Sequence, residues 1–326
     1  MDRSRSTPRI VVTGRIPDAG LELLRSAGSL LRWTAETPIA VDECHERIAG
    51  AHAVVTLLTT RVDDAFLDAA GPQLEIVANV AVGYNNIDVA ACASRGVVAT
   101  NTPGVLTDAT ADLAMGLILM VTRRLGEGER LIRSGEPWQW GMFMLLGAGL
   151  QRRRLGIIGM GAIGEALAGR ARAFGMEIVY HNRHAVAPEV EARLGARRVE
   201  LDELLATSDI VSVNCPYSPA THHLIDADAF ARMRPSAYLI NTARGPIVDE
   251  VALVRAVRDG AIAGAGLDVY EQEPVLAAGL RELDNVVLIP HLGSATIETR
   301  DAMARLAARN VVEVLAGRPP VTPIPA

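Results

Sequence analysis

Leu155-Gly-Ile-Ile-Gly-Met-Gly-Ala-Ile-Gly164 joins an apolar strand pattern to an alanine-rich helical pattern through three closely spaced glycines. In a dinucleotide-binding βαβ unit, the first glycine permits a tight turn and the second lets the backbone approach a pyrophosphate. The third lets the helix pack on the strand, and the positive end of the helix dipole lies at the phosphates. The alternative is a glycine-rich turn of an ordinary αβ unit, but the strand before it and the αβ pattern after it favour a dinucleotide site. The expected contacts are Gly159, Gly161, Ala162, Ile163 and Gly164.

The position of this motif predicts a second domain upstream of it. Strand patterns at 10–13, 53–57 and 74–80 precede the motif, and six strand patterns in dinucleotide-binding style begin with it. Strands that alternate with helices predict parallel, doubly wound sheets. The last helical pattern, Thr296 to Ala316, is too short for a domain, so we expect it to return to the N-terminal domain. The predicted fold is α/β, with a Rossmann domain (104–291) inserted into a flavodoxin-like substrate-binding domain (1–103 and 292–326).

Composition excludes several classes of protein. The 326 residues carry a net charge of −6 without a basic and aromatic face, so we expect no nucleic-acid partner. Apolar runs such as Leu113 to Val121 are too short to cross a bilayer, and residues 1–5 lack the apolar core of a signal peptide, which predicts a cytoplasmic protein without a membrane partner. The chain contains no lysine, which excludes Schiff-base and P-loop chemistry. Its three scattered cysteines predict reduced thiols, and no metal site is expected.

Three polar residues follow predicted strands of the second domain, where ligands bind in this architecture: Arg244, Glu273 and His291. Reduction of a 2-oxo acid needs a cation for the carboxylate, a proton donor for the carbonyl oxygen, and a group that keeps the donor protonated. These three side chains provide those functions. The alternatives are a solvated arginine and a structural histidine. Spacing alone leaves open whether Glu271 or Glu273 pairs with the histidine.

Four ordered motifs resemble the D-isomer-specific 2-hydroxyacid dehydrogenases, especially their glyoxylate/hydroxypyruvate reductase branch, over almost the whole chain. They are Gly159–Gly164, Asn241–Gly245, Asp268–Pro274 and Pro290–Thr296, and three upstream segments, 79–84, 101–104 and 107–113, agree as well. The resemblance implies that Glu273 pairs with His291 and that Arg244 binds the substrate carboxylate. The family pattern differs at Ala162, where many members carry an arginine beside the pyrophosphate.

The resemblance also implies further contacts and a homodimer built on an arm at about 105–150. Backbone N–H groups of Val82 and Gly83 would hold the substrate carboxylate, and Ser294 would touch substrate. Trp138 is the candidate aromatic residue that enters the partner's site, with Trp140 as the alternative; both could instead pack only at the dimer interface. Asp268 would meet the nicotinamide end of the cofactor. The remaining implied cofactor contacts are Thr110, Cys215, Pro216, Thr221, Thr242, Ala243 and Gly293.

The end of the second strand of the Rossmann domain bears on the choice of nicotinamide. NAD-preferring sites normally place an acid there for the ribose hydroxyls, whereas this chain has Tyr180-His-Asn-Arg-His184. Asn182 and Arg183 are therefore predicted to meet a 2′-phosphate, so that NADP(H) is preferred and NAD(H) is possible. The alternative is that Arg183 points to solvent and both cofactors are used.

The predicted activity is NAD(P)H-dependent reduction of glyoxylate or hydroxypyruvate to the D-2-hydroxy acid, with His291 as general acid. Two other functions stay open. One is another 2-hydroxyacid dehydrogenase, such as a phosphoglycerate dehydrogenase. The other is a non-catalytic, nucleotide-sensing binding protein. The sequence does not rank one small 2-oxo acid above another.

Overall fold

The computed structural model describes residues 7–325. Residues 1–6, on which the expectation of no signal peptide rests, and residue 326 lie outside the described part of the chain. The strands are β1 Arg9–Val12, β2 Ser29–Arg32, β3 Ala53–Thr56, β4 Ile76–Asn79, β5 Val98–Thr100, β6 Arg154–Ile158, β7 Glu177–His181, β8 Ala196–Arg198, β9 Ile210–Val213, β10 Tyr238–Asn241, β11 Gly264–Leu267 and β12 Val286–Leu288.

The helices cover one or both faces of each sheet. They are α1 Asp18–Ala27, α2 Val41–Ile48, α3 Asp64–Ala70, α4 Val89–Ser94, α5 Thr107–Thr122, α6 Leu125–Ser134, α7 Ala162–Ala173, α8 Pro188–Leu194, α9 Leu201–Thr207, α10 Ala227–Arg232, α11 Glu250–Arg258 and α12 Ile297–Leu315. No helix within residues 7–325 is long and apolar enough to cross a bilayer.

The described residues divide into two compact units. Unit 1 comprises residues 7–106 and 294–325, and unit 2 comprises residues 107–293. These divisions fall three and two residues beyond the boundaries expected from the sequence. Within the described residues, unit 1 contains a five-stranded sheet and unit 2 a seven-stranded sheet, and every strand pair in both is parallel. The predicted fold class is confirmed.

The sheet of unit 1 has the strand order β2-β1-β3-β4-β5, as in flavodoxin-like folds. Its central strands β3 and β4 are buried along their full length, which explains their apolar sequences. The sequence analysis did not predict the short strands β2 and β5, because β2 is a partly exposed edge strand and β5 has only three residues. Helix α12 packs against α1, β3 and β4, so the C-terminal helix belongs to this unit.

A buried asparagine on α12 ties the C-terminal tail to this unit. The side-chain oxygen of Asn310 accepts hydrogen bonds from the backbone N–H groups of Val321 and Thr322, at 2.8 and 2.9 Å. Its amide nitrogen donates to the Thr322 hydroxyl at 2.8 Å. That hydroxyl in turn donates to the carbonyl oxygen of Asn101 at 2.7 Å. The Asn310 side chain thus binds the backbone and hydroxyl groups of the proline-rich tail and holds the tail on this unit.

The sheet of unit 2 has the order β12-β11-β10-β9-β6-β7-β8. From β6 the strands are added toward one edge of the sheet (β7, β8), and from β9 toward the other edge (β10 to β12). The switch point, at which doubly wound folds bind ligands, therefore lies between β6 and β9, at the glycine-rich motif. The prediction of six strands was wrong by one. The strand that was missed, β8, has the sequence Ala-Arg-Arg and lies at the sheet edge, where pairing with β7 holds a segment that carries no apolar signal.

The segment from Thr107 to Ser134 forms two helices. Helix α5 ends at Thr122, and Arg124 adopts a left-handed conformation (φ 54°) immediately before α6. Helix α5 is apolar because it packs against α7 and against strands β10, β11 and β12 of its own unit. Helix α6 has no buried residue within the described chain. The turn at Arg124 therefore separates a core helix from an exposed one.

Candidate active site

The glycine-rich loop between β6 and α7 has the three environments that a dinucleotide site requires. Gly159 has a φ of +99°, and a Cβ there would lie 2.4 Å from the backbone nitrogen of Cys215. A Cβ on Gly164 would lie 2.5 Å from the carbonyl oxygen of Gly159, so this glycine permits helix and loop to touch. A Cβ on Gly161 would meet no described atom within 4 Å. Open space therefore adjoins the middle glycine, where a pyrophosphate would approach the backbone.

The N-terminus of α7 faces this space without a side-chain cap. Helix α7 begins at Ala162, its N-cap is Gly161, and no side-chain hydrogen bond caps it. The first N–H groups of a helix have no intrahelical acceptor and carry the positive end of the dipole. Ala162 and Ile163 thus offer backbone N–H groups to an anion. Because Ala162 brings no charge, the loop residues fit a pyrophosphate through backbone groups alone.

Two further polar groups near this loop are buried without a described partner. They are the Asn214 side-chain oxygen, which follows β9, and the Thr242 hydroxyl, which follows β10. Buried polar atoms are normally satisfied, and those that are not commonly contact a ligand or water. Both residues follow strand ends at the carboxyl edge of the unit 2 sheet, so their chemistry also fits a bound nucleotide.

His291 is held in an uncommon backbone conformation directly after β12 and Pro290. Its φ is +53°, and its N–H donates to the carbonyl oxygen of Asp268 at 2.8 Å. The ring nitrogen Nδ1 lies 2.8 Å from Oε2 of Glu273. This contact leaves Nε2 as the ring nitrogen that can serve another group. A non-glycine residue at positive φ is uncommon and often marks a functional position.

Glu273 is fixed from two sides. Its Oε1 accepts a hydrogen bond from the N–H of Tyr270 at 3.1 Å, while Oε2 pairs with His291. Burial favours the neutral form of this carboxyl, but the hydrogen bond and charge of His291, the Tyr270 N–H and the charge of Arg244 together lower its pKa. Glu273 therefore stays ionised next to the imidazole, where it stabilises a protonated ring.

Glu271, the alternative carboxylate, has a different partner. It pairs with Nε2 of His223, and its backbone N–H donates to Oε1 of the buried Glu250 at 2.6 Å. Oε2 of Glu250 accepts from the N–H of Ala277 at 3.0 Å. Two carboxylates of the same loop thus pair with two different histidines, which is why spacing alone could not decide which carboxylate pairs with His291.

Arg244 follows β10 in a loop pressed against the Glu273 loop. A Cβ on the adjacent Gly245 would lie 1.8 Å from the carbonyl carbon of Tyr270, so only glycine permits this approach. The Asn241 side chain donates to the carbonyl oxygen of Arg244 at 3.0 Å, and Arg244 Nη1 donates to the carbonyl oxygen of Ala243 at 2.6 Å. Burial lowers the pKa of Arg244, and the charge of Glu273 opposes that shift. A partly buried cation and the His291–Glu273 pair thus belong to adjoining loops.

Asp268 holds the turn that carries the histidine. The residue is buried, and its two carboxylate oxygens accept hydrogen bonds from the N–H groups of Leu292 at 2.5 Å and Gly293 at 2.8 Å. Burial raises the pKa of Asp268, and these hydrogen bonds oppose the rise. The Thr110 hydroxyl donates to the carbonyl oxygen of Gly293 at 3.1 Å. Asp268 and Thr110 therefore brace residues 291–293 from the β11 end and from α5.

Comparison with known proteins agrees with this geometry. Residues 115–293 match the model of the NAD binding domain of D-isomer specific 2-hydroxyacid dehydrogenases. A glyoxylate reductase from Thermococcus onnurineus (strain NA1) is 46% identical over 320 residues, which are 97% of this chain and 95% of that protein. The chain belongs to the D-isomer specific 2-hydroxyacid dehydrogenase family. It is therefore an NAD(P)-dependent dehydrogenase, and the predicted family and enzyme class are confirmed.

Solved structures of this dehydrogenase family have the same fold over nearly the whole length of the chain. A glyoxylate reductase from Paecilomyes thermophila has a TM-score of 0.87 at 34% identity and covers 98% of both chains. An NADPH-dependent glyoxylate/hydroxypyruvate reductase from Sinorhizobium meliloti, solved with NADP and malonate, has a TM-score of 0.82 at 35% identity. That similarity covers 98% of this chain and 97% of the Sinorhizobium chain.

In this dehydrogenase the end of β7 differs from the expectation in one respect. The Asn182 side chain, expected at the cofactor phosphate, is engaged with the glycine-rich loop: its oxygen accepts from the N–H of Met160 at 2.7 Å, and its nitrogen donates to the Met160 carbonyl oxygen at 3.2 Å. Arg183 is exposed. Sequence reasoning missed Arg198, the last residue of β8, whose guanidinium bonds to the Asn182 carbonyl oxygen. An unpredicted edge strand carries it, so no local signal marked it.

The other expected cofactor residues lie on loops after β9 and β10. Cys215 is partly buried, and burial raises the pKa of its thiol to about 11. The Thr221 hydroxyl bonds within its own loop and donates to the Pro216 carbonyl oxygen at 3.0 Å. Ala243 donates its N–H to the Asn241 side chain at 3.1 Å. These residues border the carboxyl edge of the unit 2 sheet.

The expected substrate residues of unit 1 follow β4 and precede α12. The carbonyl oxygen of Val82 accepts from the Asn101 side chain at 2.7 Å, and that of Gly83 accepts from the Asn79 side chain at 3.1 Å. Among the described hydrogen bonds, neither residue donates its backbone N–H. Ser294 is partly exposed, and its carbonyl oxygen accepts from the N–H of Thr296 at 2.9 Å.

Within the expected arm at about 105–150, residues 125–146 of unit 2 carry several exposed apolar side chains. Trp138 is 52% exposed, Trp140 is 72% exposed and Phe143 is 87% exposed. Isolated exposed apolar residues are ordinary, but several in one segment indicate an interaction surface. The other exposed large apolar residues between 125 and 146 are Leu125, Ile132, Met142 and Leu146.

Proposed function

We propose that this dehydrogenase reduces a small 2-oxo acid, glyoxylate or hydroxypyruvate, to the D-2-hydroxy acid with NADPH. The observation that carries the proposal is the arrangement in unit 2 of a partly buried arginine, Arg244, and the His291–Glu273 pair on loops at the edge of the sheet where the glycine-rich loop begins. The names of the relatives from Thermococcus and Sinorhizobium support this substrate class.

In the proposed reaction, each of the three side chains has one task. Arg244 binds the substrate carboxylate, and a guanidinium suits this because its paired N–H donors match two carboxylate oxygens. His291 donates a proton from Nε2 to the carbonyl oxygen, while Glu273 on Nδ1 stabilises the protonated ring and fixes its orientation. The bound nicotinamide supplies the hydride. These groups orient the substrate and stabilise the negative charge that develops on its oxygen.

We propose that unit 1 contributes further substrate contacts and that unit 2 binds the dinucleotide. The N–H groups of Val82 and Gly83, which donate no described hydrogen bond, suit a carboxylate as a second pair of donors. Ser294, at the start of the returning segment, is the further proposed substrate contact. In unit 2 the open space at Gly161 and the uncapped end of α7 support the pyrophosphate position.

The preference for NADP(H) over NAD(H) rests on the residues after β7. None of His181, Asn182, Arg183 and His184 is an acid that could hold the two ribose hydroxyls. Arg183 is exposed and free of a described carboxylate partner, which suits contact with a 2′-phosphate. We propose NAD(H) as a weaker alternative cofactor.

We further propose a homodimer in which the arm of one subunit packs on the other. Trp138 is the proposed contact with the partner's site, and Trp140 is the alternative. Light scattering after gel filtration is expected to report a dimer. In Trp138→Ala, a rise in KM for substrate with an unchanged dimer would support entry into the partner's site. An unchanged KM would leave this tryptophan in a packing role only.

The activity assay follows the nicotinamide absorbance while glyoxylate, hydroxypyruvate, phenylpyruvate and 3-phosphohydroxypyruvate are offered in parallel, with NADPH and again with NADH. We expect turnover of the two smallest acids and a higher kcat/KM with NADPH. Preference for the phosphorylated acid would instead indicate a phosphoglycerate dehydrogenase. No turnover at all, with nucleotide binding intact, would refute the proposed reaction.

Matched variants test the proton donor. His291→Ala should lower kcat by roughly 10²- to 10⁴-fold, the usual loss when a general acid is removed. Glu273→Gln should also lower kcat strongly, whereas Glu271→Gln removes a carboxylate from the same loop that pairs with His223. We expect Glu271→Gln to reduce kcat far less. Equal losses in the two glutamine variants would contradict the assigned roles.

A further inference from the structure

The guanidinium of Arg198 is hydrogen-bonded to the turn that follows β7. Its Nε and Nη2 donate to the carbonyl oxygen of Asn182 at 3.1 and 3.0 Å, and Nη2 also lies 3.4 Å from the carbonyl oxygen of Arg183. Register explains the position: Arg198 pairs with Tyr180, two residues before the turn, so both strands end at the same edge. Two arginines from neighbouring strands thus lie at the end of β7.

The charge of Arg198 is only weakly compensated. The carboxylate recorded near it is that of Glu200, 3.9 Å from Nη2, and the Glu200 side chain is 78% exposed. Such a long, solvated ion pair contributes little. The preceding residue, Arg197, makes a close pair with Glu203 at 2.8 Å. Side chains alternate along a strand, so the two arginines face opposite sides of the sheet.

We propose that Arg198 is a specificity-determining residue that binds the 2′-phosphate of NADP(H) together with Arg183. The inference rests on the proposed preference for NADP(H). A phosphate gains charge-assisted hydrogen bonds from two guanidinium groups, whereas the ribose hydroxyl of NAD(H) gains much less. The bonds to the Asn182 and Arg183 carbonyl oxygens hold the Arg198 guanidinium in place, so binding loses little side-chain entropy.

The arrangement also explains the position of the Asn182 side chain. Because the Asn182 amide bonds to Met160 of the glycine-rich loop, it is committed to joining β7 to that loop. Its backbone carbonyl oxygen meanwhile accepts from Arg198. Asn182, which the sequence predicted at the 2′-phosphate, therefore connects the glycine-rich loop to Arg198. Arg198 of β8 is the second proposed cation for the 2′-phosphate, beside Arg183.

The test measures binding of NADP⁺ and NAD⁺ without substrate, by titration calorimetry, so that turnover plays no part. Arg198→Met keeps much of the apolar stem and removes the charge. We expect it to weaken NADP⁺ roughly tenfold, as for loss of a hydrogen bond to a charged group, and to change NAD⁺ by less than about twofold. Arg197→Met is the matched control on the same strand and should change neither affinity. Arg183→Met should weaken NADP⁺ selectively as well.

The outcomes separate this inference from the proposal it rests on. If the wild-type protein binds NAD⁺ as tightly as NADP⁺, the cofactor preference fails, and the role of Arg198 fails with it. If the preference holds but Arg198→Met retains wild-type NADP⁺ affinity, only the role of Arg198 is overturned. Equal weakening of both nucleotides would show that Arg198 merely supports the turn, which also overturns the inference. Arg198→Lys, which restores the charge, should recover part of the NADP⁺ preference.

Discussion

Gly161→Ala should separate nucleotide binding from stability. The backbone at Gly161 has φ −99° and ψ −163°, which alanine adopts without strain, and its Cβ would meet no described atom within 4 Å. Alanine is a poorer N-cap than glycine, but it also restricts the unfolded chain, and the two effects oppose each other. We expect the free energy of unfolding without nucleotide to change by less than about 1 kcal/mol, or about 2–4 °C in Tm.

The effect on nucleotide affinity should be much larger. If the pyrophosphate lies against the α-carbon of Gly161, an added methyl group occupies the space it needs. Overpacking of a closely fitted site costs about 1–3 kcal/mol, which corresponds to a roughly 5- to 150-fold rise in Kd. The Kd for NADPH can be measured by the change in nucleotide fluorescence on binding, and Tm by circular dichroism without nucleotide.

Two other glycines of the same segment provide contrasts. Gly169→Ala, inside α7 where a Cβ meets nothing within 4 Å, should stabilise the protein by up to about 1 kcal/mol and leave the Kd unchanged. Gly159→Ala should destabilise the protein itself, because its φ is +99° and its Cβ would lie 2.4 Å from the Cys215 nitrogen. Wild-type NADPH affinity in Gly161→Ala would refute the assigned pyrophosphate position. A loss of stability as large as that of Gly159→Ala would refute the described loop geometry.

Three further predictions concern stability and reactivity. The surroundings of Glu273 lower its pKa below the ordinary value of 4.5, so the ionised carboxylate stabilises the fold above pH 4.5, and this contribution is lost as the pH falls toward the lowered pKa. The Tm difference between wild type and Glu273→Gln should therefore shrink from pH 6 to pH 4, and a constant difference would contradict this. Asn310→Ala leaves the N–H groups of Val321 and Thr322 without their acceptor and should cost at least about 2 kcal/mol in urea unfolding, whereas a loss below about 0.5 kcal/mol would show that the tail is not held this way. With the pKa of the Cys215 thiol raised to about 11, the native protein at pH 8 should resist iodoacetamide at this residue until urea is added, and rapid labelling without urea would argue against its burial.

Local patterns predicted the elements whose signals lie in neighbouring residues. The glycine spacing at 159, 161 and 164 predicted a turn, an open approach and a close helix contact, because each depends on the absence of one Cβ. Fully buried strands such as β4 and β9 were predictable because burial on both faces favours a largely apolar run. Strand β8 was not, since a three-residue edge strand that contains two arginines is formed by pairing with β7.

The polar partnerships needed the tertiary structure. Glu271 and Glu273 are two residues apart, yet one pairs with His223 and the other with His291, and each histidine arrives from a different strand end. The sequence predicted a phosphate contact for the Asn182 side chain, whereas in the structure that side chain bonds to the backbone of Met160. In each case the deciding partner lies 18 to 48 residues away in the chain.

Short segments of the sequence were sufficient to predict the family, the doubly wound fold, the glycine-rich loop and the residue types at the strand ends, because steric freedom at glycine and apolar periodicity are local properties. Spacing left the partner of His291 open, and only the resemblance to a family pointed to Glu273, the pair that the structure contains. What Asn182 binds, and that Arg198 reaches the end of β7, could be learned from the tertiary structure only. Those outcomes depend on strand order and register, which bring distant residues within the roughly 3 Å over which hydrogen bonds act.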